Sequence, residues 1–520
     1  MSLRKLKRNK SKMSQQNLTS RYGTSDLNGL MKAAQRHLHS GRLQEAEKMY
    51  KQILSAFPAS EACKSLGLVY TRMMKFDKAI TAYEKVIAAQ PDNFDVQNKL
   101  GILYQKSGNL DVAIRYFQEA LRIKPDFLAA RFSFAEALEK YNKIEQAYEE
   151  VLKGLEFSPN DIELQCLAAT CERRLGQVVK AKNRLSGINA DTLSAIYRRQ
   201  FFFERAQLQA KNNEYEKAYS DFGAGNEAAK ELRGSIEKES ILERVMVLRN
   251  QFEGSDFLLP VVEPREEERR APVFIIGFPR SGTTLLDQVL DSHPCIQTME
   301  EKDILLQIES KTFDPYGEYL ATWESLTAQQ IKTLQGLYYL EADTFFARQP
   351  GSVLVDRNPN NIIQAALAWR MFPDAKFILA IRHPLDVCLS CFMQDFEINS
   401  INVNFFTLSD AVYLYKEIMG LWRLFVERLP LDYTIVRYED LVDDLEGEAR
   451  RLLDYIGVEW DSNVLKFHEH AKTKGQIKTA SYHQVTQPIY RHAAYRWKRY
   501  EKFCEPFEEE LAPYIDCFGY

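Results

Sequence analysis

The chain has 520 residues, of which 45% are hydrophobic and 27% are charged. One hydrophobic core rarely grows beyond about 250–300 residues, so we expect roughly two to four domains. The net charge of -4 argues against general nucleic-acid binding, and no apolar run approaches the ~20 residues that a membrane-spanning helix needs.

The N-terminal stretch, residues 1–22, is rich in basic side chains, but no apolar segment follows them. This composition predicts a disordered basic tail and argues against a secretory signal. Contact of the tail with nucleic acid or a membrane is the less favoured alternative. The eight cysteines are scattered along the chain without the spacing of a disulfide framework. That usage favours a reducing compartment, and we expect a cytoplasmic protein.

Two residue types recur at intervals of 33 or 34 through the N-terminal part of the chain. The recurring prolines are Pro58, Pro91, Pro125 and Pro159, and the recurring alanines are Ala46, Ala79, Ala113, Ala147 and Ala181. An aromatic side chain follows each of the first three alanines by four residues, at Tyr50, Tyr83 and Phe117. Small residues let two helices approach closely, the aromatic ring fills the gap beside them, and proline ends the second helix. The pattern resembles the tetratricopeptide repeat, a pair of antiparallel helices of roughly 34 residues.

The repeats predict an all-α solenoid over residues 25–252, with about five units up to residue 190. A degraded sixth unit lies near Ala218 and Phe222. The concave surface of such a solenoid usually binds a protein or peptide segment. The alternative is that the array only pairs two copies of the chain in a homodimer, or supports the second domain. Residues 253–270 contain two prolines and a run of charges, so they are expected to form a linker.

The C-terminal part alternates short apolar runs with longer amphipathic segments. The apolar runs, which predict strands, cover residues 272–277, 352–355, 377–381 and 434–436. The amphipathic segments, which predict helices, cover residues 285–293, 362–371, 385–396, 408–429 and 441–456. This alternation predicts an α/β domain with a mostly parallel sheet over residues 271–520. Ligands of such sheets bind beyond the carboxyl ends of the strands, where Arg280, Arg357 and Arg382 fall.

The segment from Gly277 to Thr284 follows the first predicted strand and precedes a predicted helix. Successive backbone N–H groups and the positive end of the helix dipole make such a turn an anion-binding site. Its spacing matches the P-loop of nucleotide-triphosphate enzymes, except that Thr283 stands in the place of the phosphate-binding lysine. This difference argues against a kinase or an ordinary ATPase. The cation within the turn is Arg280, whose planar guanidinium suits a smaller oxyanion group held by two hydrogen bonds.

Residues 277–294 resemble the 5′-phosphosulfate loop of sulfotransferases that use 3′-phosphoadenosine-5′-phosphosulfate (PAPS) as the sulfuryl donor. Residues 377–390 resemble the 3′-phosphate site of the same enzymes. The pattern P-R-S-G-T-T-L-L, then D-S-H-P, then E-E is most similar to the tyrosylprotein sulfotransferase branch. Repeats followed by this domain resemble the bacterial tetratricopeptide-repeat sulfotransferases over roughly residues 25–500. The resemblance implies a P-loop-like parallel sheet and a PAPS-dependent enzyme without a metal ion.

The resemblance also implies roles for individual residues in donor binding. The implied contacts to the 5′-phosphosulfate come from Arg280, Ser281, Gly282, Thr283 and Thr284, and those to the 3′-phosphate come from Arg382 and Ser390. Tyr438 matches a tyrosine that packs on the nucleotide, and Arg496 stands in the place of a nucleotide-binding lysine. Gln394 occupies a position where the tyrosylprotein branch has an arginine, so one contact to the nucleotide is expected to be weaker or absent.

Three residues are implied to act on the reacting groups. Glu301, the second acid of a Glu-Glu pair, matches the family's catalytic carboxylate, which accepts the proton of the acceptor hydroxyl. Arg357 stands in the place of the family's stabilising lysine, and it can neutralise the leaving oxygen but cannot supply a proton. Ser481 lies in a segment that resembles the family's closing loop and would act at the sulfuryl group. Glu300 is the alternative base, and both acids are also compatible with a solvated helix start.

Two further motifs are interpreted as structural. Cys388 and Cys391 have the spacing of a redox pair, but they lie inside a predicted helix, so a pair of small core residues is favoured. His468 and His470 have no partner ligands at helical spacing, so we expect polar surface there and no metal site.

Considered as a whole, the sequence predicts an enzyme that moves a sulfuryl group from PAPS to an acceptor hydroxyl. A protein tyrosine, a carbohydrate, a lipid and a small phenol all stay open as acceptors. The main alternative, motivated by Arg357 and Gln394, is a repeat scaffold whose nucleotide pocket is not catalytic.

Overall fold

The computed structural model describes residues 24–56, 60–234, 236, 239–254, 270–313, 319–345, 348–349, 351–473 and 493–520. The chain forms two compact units, which divide between Arg184 and Leu185. The basic tail at residues 1–22 and nearly all of the predicted linker lie outside the described residues. Within the described ranges, no helix is long and apolar enough to cross a membrane.

Paired helices make up the described part of the first unit. Their bounds are α1 Thr24–His39, α2 Leu43–Ala56, α3 Ser60–Arg72, α4 Phe76–Ala89, α5 Phe94–Lys106, α6 Leu110–Ile123, α7 Leu128–Lys140, α8 Ile144–Phe157, α9 Ile162–Arg174 and α10 Val178–Ser186. From α2 onward, equivalent helices of successive pairs begin 33 or 34 residues apart, which is the period that the sequence shows. The prediction of an all-α repeat region at the N-terminal end is therefore confirmed.

The repeat period has a structural cause, which is the close approach of glycine to an aromatic ring. A Cβ atom on Gly67 would lie 2.7 Å from the ring of Tyr83, and one on Gly101 would lie 2.5 Å from the ring of Phe117. Both distances are shorter than van der Waals contact, so the paired helices need a residue without a side chain at these positions. The five alanines that share the repeat phase are fully buried.

The second unit begins, in its described part, with α11 Ala195–Lys211, α12 Tyr215–Leu232 and α13 Glu239–Gly254. We predicted that this stretch would belong to the solenoid up to residue 252, but the structure divides the chain after Arg184. The reason is that the apolar faces of these helices share one buried core with the α/β sheet. Their side chains in that core include Phe203, Phe222, Val245, Leu248 and Phe252.

A five-stranded parallel sheet forms the centre of the second unit. Its strands are β1 Val273–Gly277, β2 Ile296–Glu300, β3 Val353–Arg357, β4 Lys376–Ile381 and β5 Asp432–Arg437, in the spatial order β2-β3-β1-β4-β5. The four predicted strands are confirmed as β1, β3, β4 and β5. The edge strand β2 was missed because its five residues contain only two buried apolar side chains, Ile296 and Met299.

Helices cover both faces of this sheet. They are α14 Thr283–Asp291, α15 Ile304–Thr312, α16 Tyr319–Ser325, α17 Ala328–Ala342, α18 Ala365–Met371, α19 Pro384–Phe392, α20 Leu408–Arg428, α21 Tyr438–Asp443, α22 Leu445–Ile456, α23 Phe467–Thr473, α24 Glu501–Cys504 and α25 Glu508–Cys517. Alternate strand residues face opposite layers, as the period of two requires. Phe274 and Phe377 pack in the core shared with α11–α13, whereas Ile275 and Ile378 pack in the core that contains α14 and α22. The predicted α/β class is therefore confirmed.

The direction of the chain changes at β1. After β1 the chain builds β2 and β3 on one side of this strand, and then it crosses to β4 and β5 on the other side. At such a reversal the carboxyl ends of neighbouring strands leave a crevice that ligands use. The turn after Gly277, together with Arg357, Arg382 and Tyr438, lies at this edge of the sheet.

Candidate active site

Two glycines shape the turn that follows β1. A Cβ atom on Gly277 would lie 2.5 Å from the carbonyl oxygen of Ala380, so β1 and β4 can lie this close only without a side chain here. Gly282 precedes α14 with φ of 96°, and a Cβ atom there would lie 2.7 Å from the Tyr438 ring. Arg280 also has a left-handed backbone, with φ of 73°. The turn thereby brings the N-terminus of α14, with the positive end of its dipole, to the ligand-binding edge of the sheet.

The two predicted anion sites meet at one hydrogen bond. Arg280 Nε donates to Ser390 Oγ at 3.0 Å, which joins the turn after β1 to the helix after β4. Close by, the Cys391 thiol donates to the carbonyl oxygen of Pro279 at 3.4 Å. Three hydroxyl-bearing residues of the turn are buried: Ser281, Thr283 and Thr284. The structure therefore brings the predicted 5′ and 3′ sites together at the ends of neighbouring strands.

Arg382 immediately follows β4, and its guanidinium is buried. One nitrogen, Nη2, donates to the carbonyl oxygen of Ala493 at 2.5 Å and lies 3.3 Å from Asp386 Oδ2. The Nε–H group has no hydrogen-bond partner among the described residues. A buried donor of a charged group without an acceptor costs roughly 1–3 kcal/mol, so an anionic ligand oxygen would be stabilised here.

Tyr438 begins α21 and lies between the two anion sites. Its ring contacts the backbone at Gly282, and the guanidinium of Arg382 lies 5.0 Å from the ring centroid. Burial raises the pKa of the Tyr438 phenol above its ordinary value, and Arg382 opposes this change only in part. The phenol is therefore neutral at physiological pH, and its ring provides an apolar surface beside Gly282 and Arg382.

A cluster of acids surrounds Arg357, the last residue of β3. The Arg357 side chain is fully buried, with Nε 3.8 Å from Asp287 Oδ1 and Nη2 3.6 Å from Glu300 Oε2. Its Nη1 donates a hydrogen bond to Glu301 Oε1. Burial alone would lower the pKa of the guanidinium, but the three carboxylates outweigh burial and raise it. Gln288 completes the cluster, since its amide donates to Asp287 at 2.8 Å and to Glu300 at 3.4 Å.

Glu301 leaves the end of β2 in a left-handed conformation, with φ of 44°. Its N–H group donates to the carbonyl oxygen of Arg357 at 2.8 Å, and its side chain is 43% exposed. A helix follows only from Ile304, so the alternative that Glu300 and Glu301 form a helix start is wrong. The strand end directs one acid, Glu301, toward solvent beside a buried cation, in a backbone conformation that non-glycine residues seldom adopt.

A further acid, Asp356, lies beside this cluster and is fully buried. Burial raises the pKa of its carboxyl to about 7, although the Tyr338 hydroxyl, which donates to it at 2.7 Å, and Arg357 favour the ionised form. Asn358 follows in the turn, and its amide donates to Asp303 Oδ1 at 3.0 Å. The carboxyl end of β3 thus combines a permanent cation with a carboxyl group that titrates near neutral pH.

The remaining predicted site residues are placed less directly. Arg496 begins a short 3₁₀ helix, Arg496–Tyr500, and its side chain interacts with Tyr500. Gln394 lies two residues beyond α19 and lines a cavity together with Arg199 and Asn226. The predicted closing-loop residue Ser481 lies outside the described residues.

The two motifs that we interpreted as structural are explained by their surroundings. Cys388 and Cys391 are fully buried in α19, and burial raises the pKa of both thiols, so they are core residues. His470 Nε2 lies 2.8 Å from Asp291 Oδ2. Among the described residues, no group of three acidic, histidine or cysteine side chains is arranged to hold a metal ion.

Of the residues around Arg357, sequence reasoning identified Glu300 and Glu301 but missed Asp287 and Gln288. Asp287 and Gln288 lie on α14 between apolar residues that pack in the core, and both are fully buried. The available signal was their position, because a buried acid on the apolar face of a short helix needs a cationic partner. The contacts of Asp386 with Arg382, at 3.3 Å, and with the backbone N–H of Trp497, at 2.7 Å, were also missed.

Comparison with known proteins gives a consistent assignment. Residues 272–462 match the Sulfotransferase family, and residues 60–126 and 104–171 match the tetratricopeptide repeat. An uncharacterized protein of Aquifex aeolicus is 29% identical over 308 residues, which cover 58% of this chain and 40% of that protein. Protein-tyrosine sulfotransferase 2 of Gallus gallus is 24% identical over 252 residues, which cover 45% of this chain and 65% of that protein.

A similar relative is the protein-tyrosine sulfotransferase of Drosophila melanogaster, 25% identical over 241 residues, which cover 43% of this chain and 46% of that protein. Among solved structures, a tetratricopeptide repeat protein from Parabacteroides merdae is 17% identical, covering 43% of this chain and 88% of that chain with a TM-score of 0.35. The alignments span between 40% and 65% of the length of the three relatives. The chain thus contains segments that match the tetratricopeptide repeat within residues 60–171 and a segment that matches the sulfotransferase family over residues 272–462.

Proposed function

We propose that this chain is a PAPS-dependent enzyme that transfers a sulfuryl group to an acceptor hydroxyl. The observation that supports the proposal is the 3.0 Å hydrogen bond between Arg280 and Ser390, which are the residues proposed for the 5′ and the 3′ anion site. PAPS carries two separate anionic groups, a 5′-phosphosulfate and a 3′-phosphate, and fits two such sites. A nucleoside triphosphate would instead need a lysine in the turn, where Thr283 stands.

The donor would be held by the turn after β1 and by α19. Arg280 and the N–H groups at the start of α14 would bind the 5′-phosphosulfate, together with the buried hydroxyls of the turn. Arg382 and Ser390 would bind the 3′-phosphate, and the Arg382 Nε–H group, which has no acceptor within the described part of the chain, would donate to it. Tyr438 would pack on the nucleotide between the two sites. Further proposed contacts, from the family resemblance alone, are those of Gly282, Arg496 and Ser481.

The chemistry would take place between Glu301 and Arg357. Glu301 would accept the proton of the acceptor hydroxyl as its oxygen attacks the sulfur atom. The bond between sulfur and the bridging oxygen then breaks, and 3′-phosphoadenosine-5′-phosphate leaves. Arg357 would neutralise the negative charge that develops on the bridging oxygen, because its guanidinium stays charged within the acid cluster. Such a reaction needs positioning and charge stabilisation more than covalent catalysis by the protein.

A protein tyrosine is the acceptor to test first, and a peptide or protein partner would be held by the repeats. Leu68 and Ile102 are half-buried apolar residues 34 positions apart on α3 and α5. Near them, Asn98 is buried and its Oδ1 atom has no hydrogen-bond partner among the described residues. An extended peptide could supply both an apolar side chain and a backbone N–H group. The possible homodimer stays a prediction, and the eight free thiols support the proposed cytoplasmic location.

The donor site is tested by calorimetry with 3′-phosphoadenosine-5′-phosphate. We expect Arg382→Ala to weaken binding by roughly 10- to 100-fold, since it removes a charge-assisted contact to the 3′-phosphate. Arg450→Ala is the matched control, because it removes the same charge from the surface of α22, where Arg450 pairs with Glu446. If the unaltered chain does not bind this nucleotide, the proposal is wrong.

Transfer is tested with isotopically labelled PAPS and four acceptors: a tyrosine peptide, a small phenol, a carbohydrate and a lipid alcohol. Glu301→Gln should lower kcat by about 100- to 10,000-fold without changing nucleotide affinity. Glu446→Gln, which removes the same charge from the surface of α22, is the matched control and should retain most of the activity. Tight nucleotide binding with no transfer to any of the four acceptors would instead support a non-catalytic pocket on a repeat scaffold.

A further inference from the structure

The C-terminal segment at residues 493–520 packs against the start of α19, although the family match ends at residue 462. Its backbone binds two charged side chains of the proposed 3′-phosphate site. The carbonyl oxygen of Ala493 accepts from Arg382 Nη2 at 2.5 Å. The N–H group of Trp497 donates to Asp386 Oδ1 at 2.7 Å, and Asp386 Oδ2 lies 3.3 Å from Arg382. This segment therefore forms one wall of the site.

Tyr520, the last residue of this segment, also packs beside His383 at the start of α19. Its hydroxyl donates to Glu439 Oε2 at 2.8 Å, and the other oxygen of Glu439 accepts from the backbone N–H of His383 at 3.1 Å. His383 is the residue between Arg382 and the first residue of α19. A chain of two hydrogen bonds thus runs from the Tyr520 hydroxyl to the backbone that separates Arg382 from Ser390.

Aromatic and cationic contacts hold this chain in place. The His383 ring is stacked on Trp497, with 5.1 Å between centroids and 21° between planes, and it meets the Tyr520 ring edge to face at 5.2 Å. The guanidinium of Arg437 lies 4.3 Å from the centroid of the Tyr520 ring. Because the ring itself is held by these contacts, loss of the hydroxyl alone would leave the packing intact.

From these contacts we infer that Tyr520 is a positioning residue for recognition of the 3′-phosphate. The inference rests on the proposed function, since it assigns Tyr520 to the site that Arg382 and Ser390 would form. When the Tyr520 hydroxyl is present, both carboxylate oxygens of Glu439 accept hydrogen bonds, and Glu439 fixes the backbone of His383. Without the hydroxyl, the carboxylate can rotate, and the turn between the two phosphate-binding residues loses one restraint.

The test compares two nucleotides that differ only in the 3′-phosphate: 3′-phosphoadenosine-5′-phosphate and adenosine 5′-monophosphate. Tyr520→Phe should weaken binding of the first by about 5- to 10-fold and leave binding of the second unchanged. Glu439→Gln keeps the shape of the side chain but weakens it as a hydrogen-bond acceptor. This variant should also bind 3′-phosphoadenosine-5′-phosphate more weakly relative to adenosine 5′-monophosphate. A role in packing alone would weaken both nucleotides equally.

The matched control is Tyr514→Phe, since the Tyr514 hydroxyl also lies in the C-terminal segment and donates to the carbonyl oxygen of Lys416 at 2.8 Å. It should leave both affinities unchanged. The unaltered chain should bind the 3′-phosphorylated nucleotide more tightly than adenosine 5′-monophosphate. If it does, and Tyr520→Phe has the same ratio of the two affinities, the inference is overturned and the proposed function stands. If the unaltered chain shows no such preference, both proposals fail.

Discussion

Three acidic side chains surround Arg357. Asp287, Glu300 and Glu301 all lie near it, while the resemblance places a lysine at this position in related enzymes. A planar guanidinium can engage several carboxylates at once, whereas an ammonium group has a single charged centre. The arginine and its acids therefore act as a set, and a change to lysine would leave part of this buried charge unmatched.

His383 provides a prediction at the residue scale. Burial, Lys498, Arg382 and Arg437 together lower the pKa of its imidazole to about 4. In the unfolded chain the pKa is near 6.5, so the unfolded state binds more protons between about pH 4 and pH 6.5. The free energy of unfolding should therefore fall as the pH falls through this window.

The lowered pKa of His383 should account for a loss on the order of 2 kcal/mol in the free energy of unfolding at acidic pH, after allowance for partial solvent screening. In His383→Asn this loss should be absent. Urea unfolding of both chains at pH 7.0 and pH 4.5 measures it. An exposed histidine of the first unit, His39, supplies the control substitution His39→Asn. Equal losses of stability in the unaltered chain and in His383→Asn would contradict the prediction.

Among the strands, those with a short apolar run were predicted, and β2, which has no such run, was missed. The sequences of β1 and β4 are apolar in nearly every position because both faces of these central strands are covered. The edge strand β2 ends in the acid Glu300 and carries polar residues between its apolar ones, so its sequence alone does not differ from that of a loop. Yet β2 sets the position of Glu301, through its parallel pairing of Glu300 with Arg357.

The repeat helices give a prediction at the element scale. In Gly101→Ala the new methyl group would lie 2.5 Å from the ring of Phe117, which is fully buried between the paired helices. We expect a loss of about 1–3 kcal/mol in the stability of the first unit. Thermal unfolding followed by circular dichroism measures this loss.

The control is Gly29→Ala on α1, where no atom lies within 4 Å of the added methyl group. Alanine favours a helix over glycine by roughly 0.5–1 kcal/mol, so this variant should be as stable as the unaltered chain or more stable. Similar effects of the two substitutions would show that the close approach at Gly101 does not limit the packing.

At the scale of the whole molecule, the helices α11–α13 belong to the unit that contains the sheet. A chain of residues 187–520 should therefore fold and bind 3′-phosphoadenosine-5′-phosphate like the full chain. A chain of residues 271–520 lacks Phe203, Phe222 and Phe252 and would expose the apolar surface that they cover, so it should not fold cooperatively.

The same shortened chain tests the role of the repeats. If they hold a peptide acceptor, the 187–520 chain should show a KM for a tyrosine peptide raised about tenfold or more, with an unchanged KM for a small phenol. Steady-state kinetics with both acceptors decide this point. Equal changes for the two acceptors would indicate that the repeats do not contribute to acceptor binding.

By itself, the sequence determined the repeat array, four of the five strands and the two arginine-bearing turns. These features depend on local spacing: a period of 33 or 34 residues, unbroken apolar runs, and glycines in one turn. Only the tertiary structure decided where the second unit begins. The sequence of an amphipathic helix predicts an apolar face, but it does not specify whether another repeat or the sheet domain packs against that face. It also decided that Arg280 meets Ser390 across 110 positions. The partners of Arg357 and the contact of Tyr520 with Glu439 were settled in the same way, because each joins segments that approach each other only once the parallel sheet has formed.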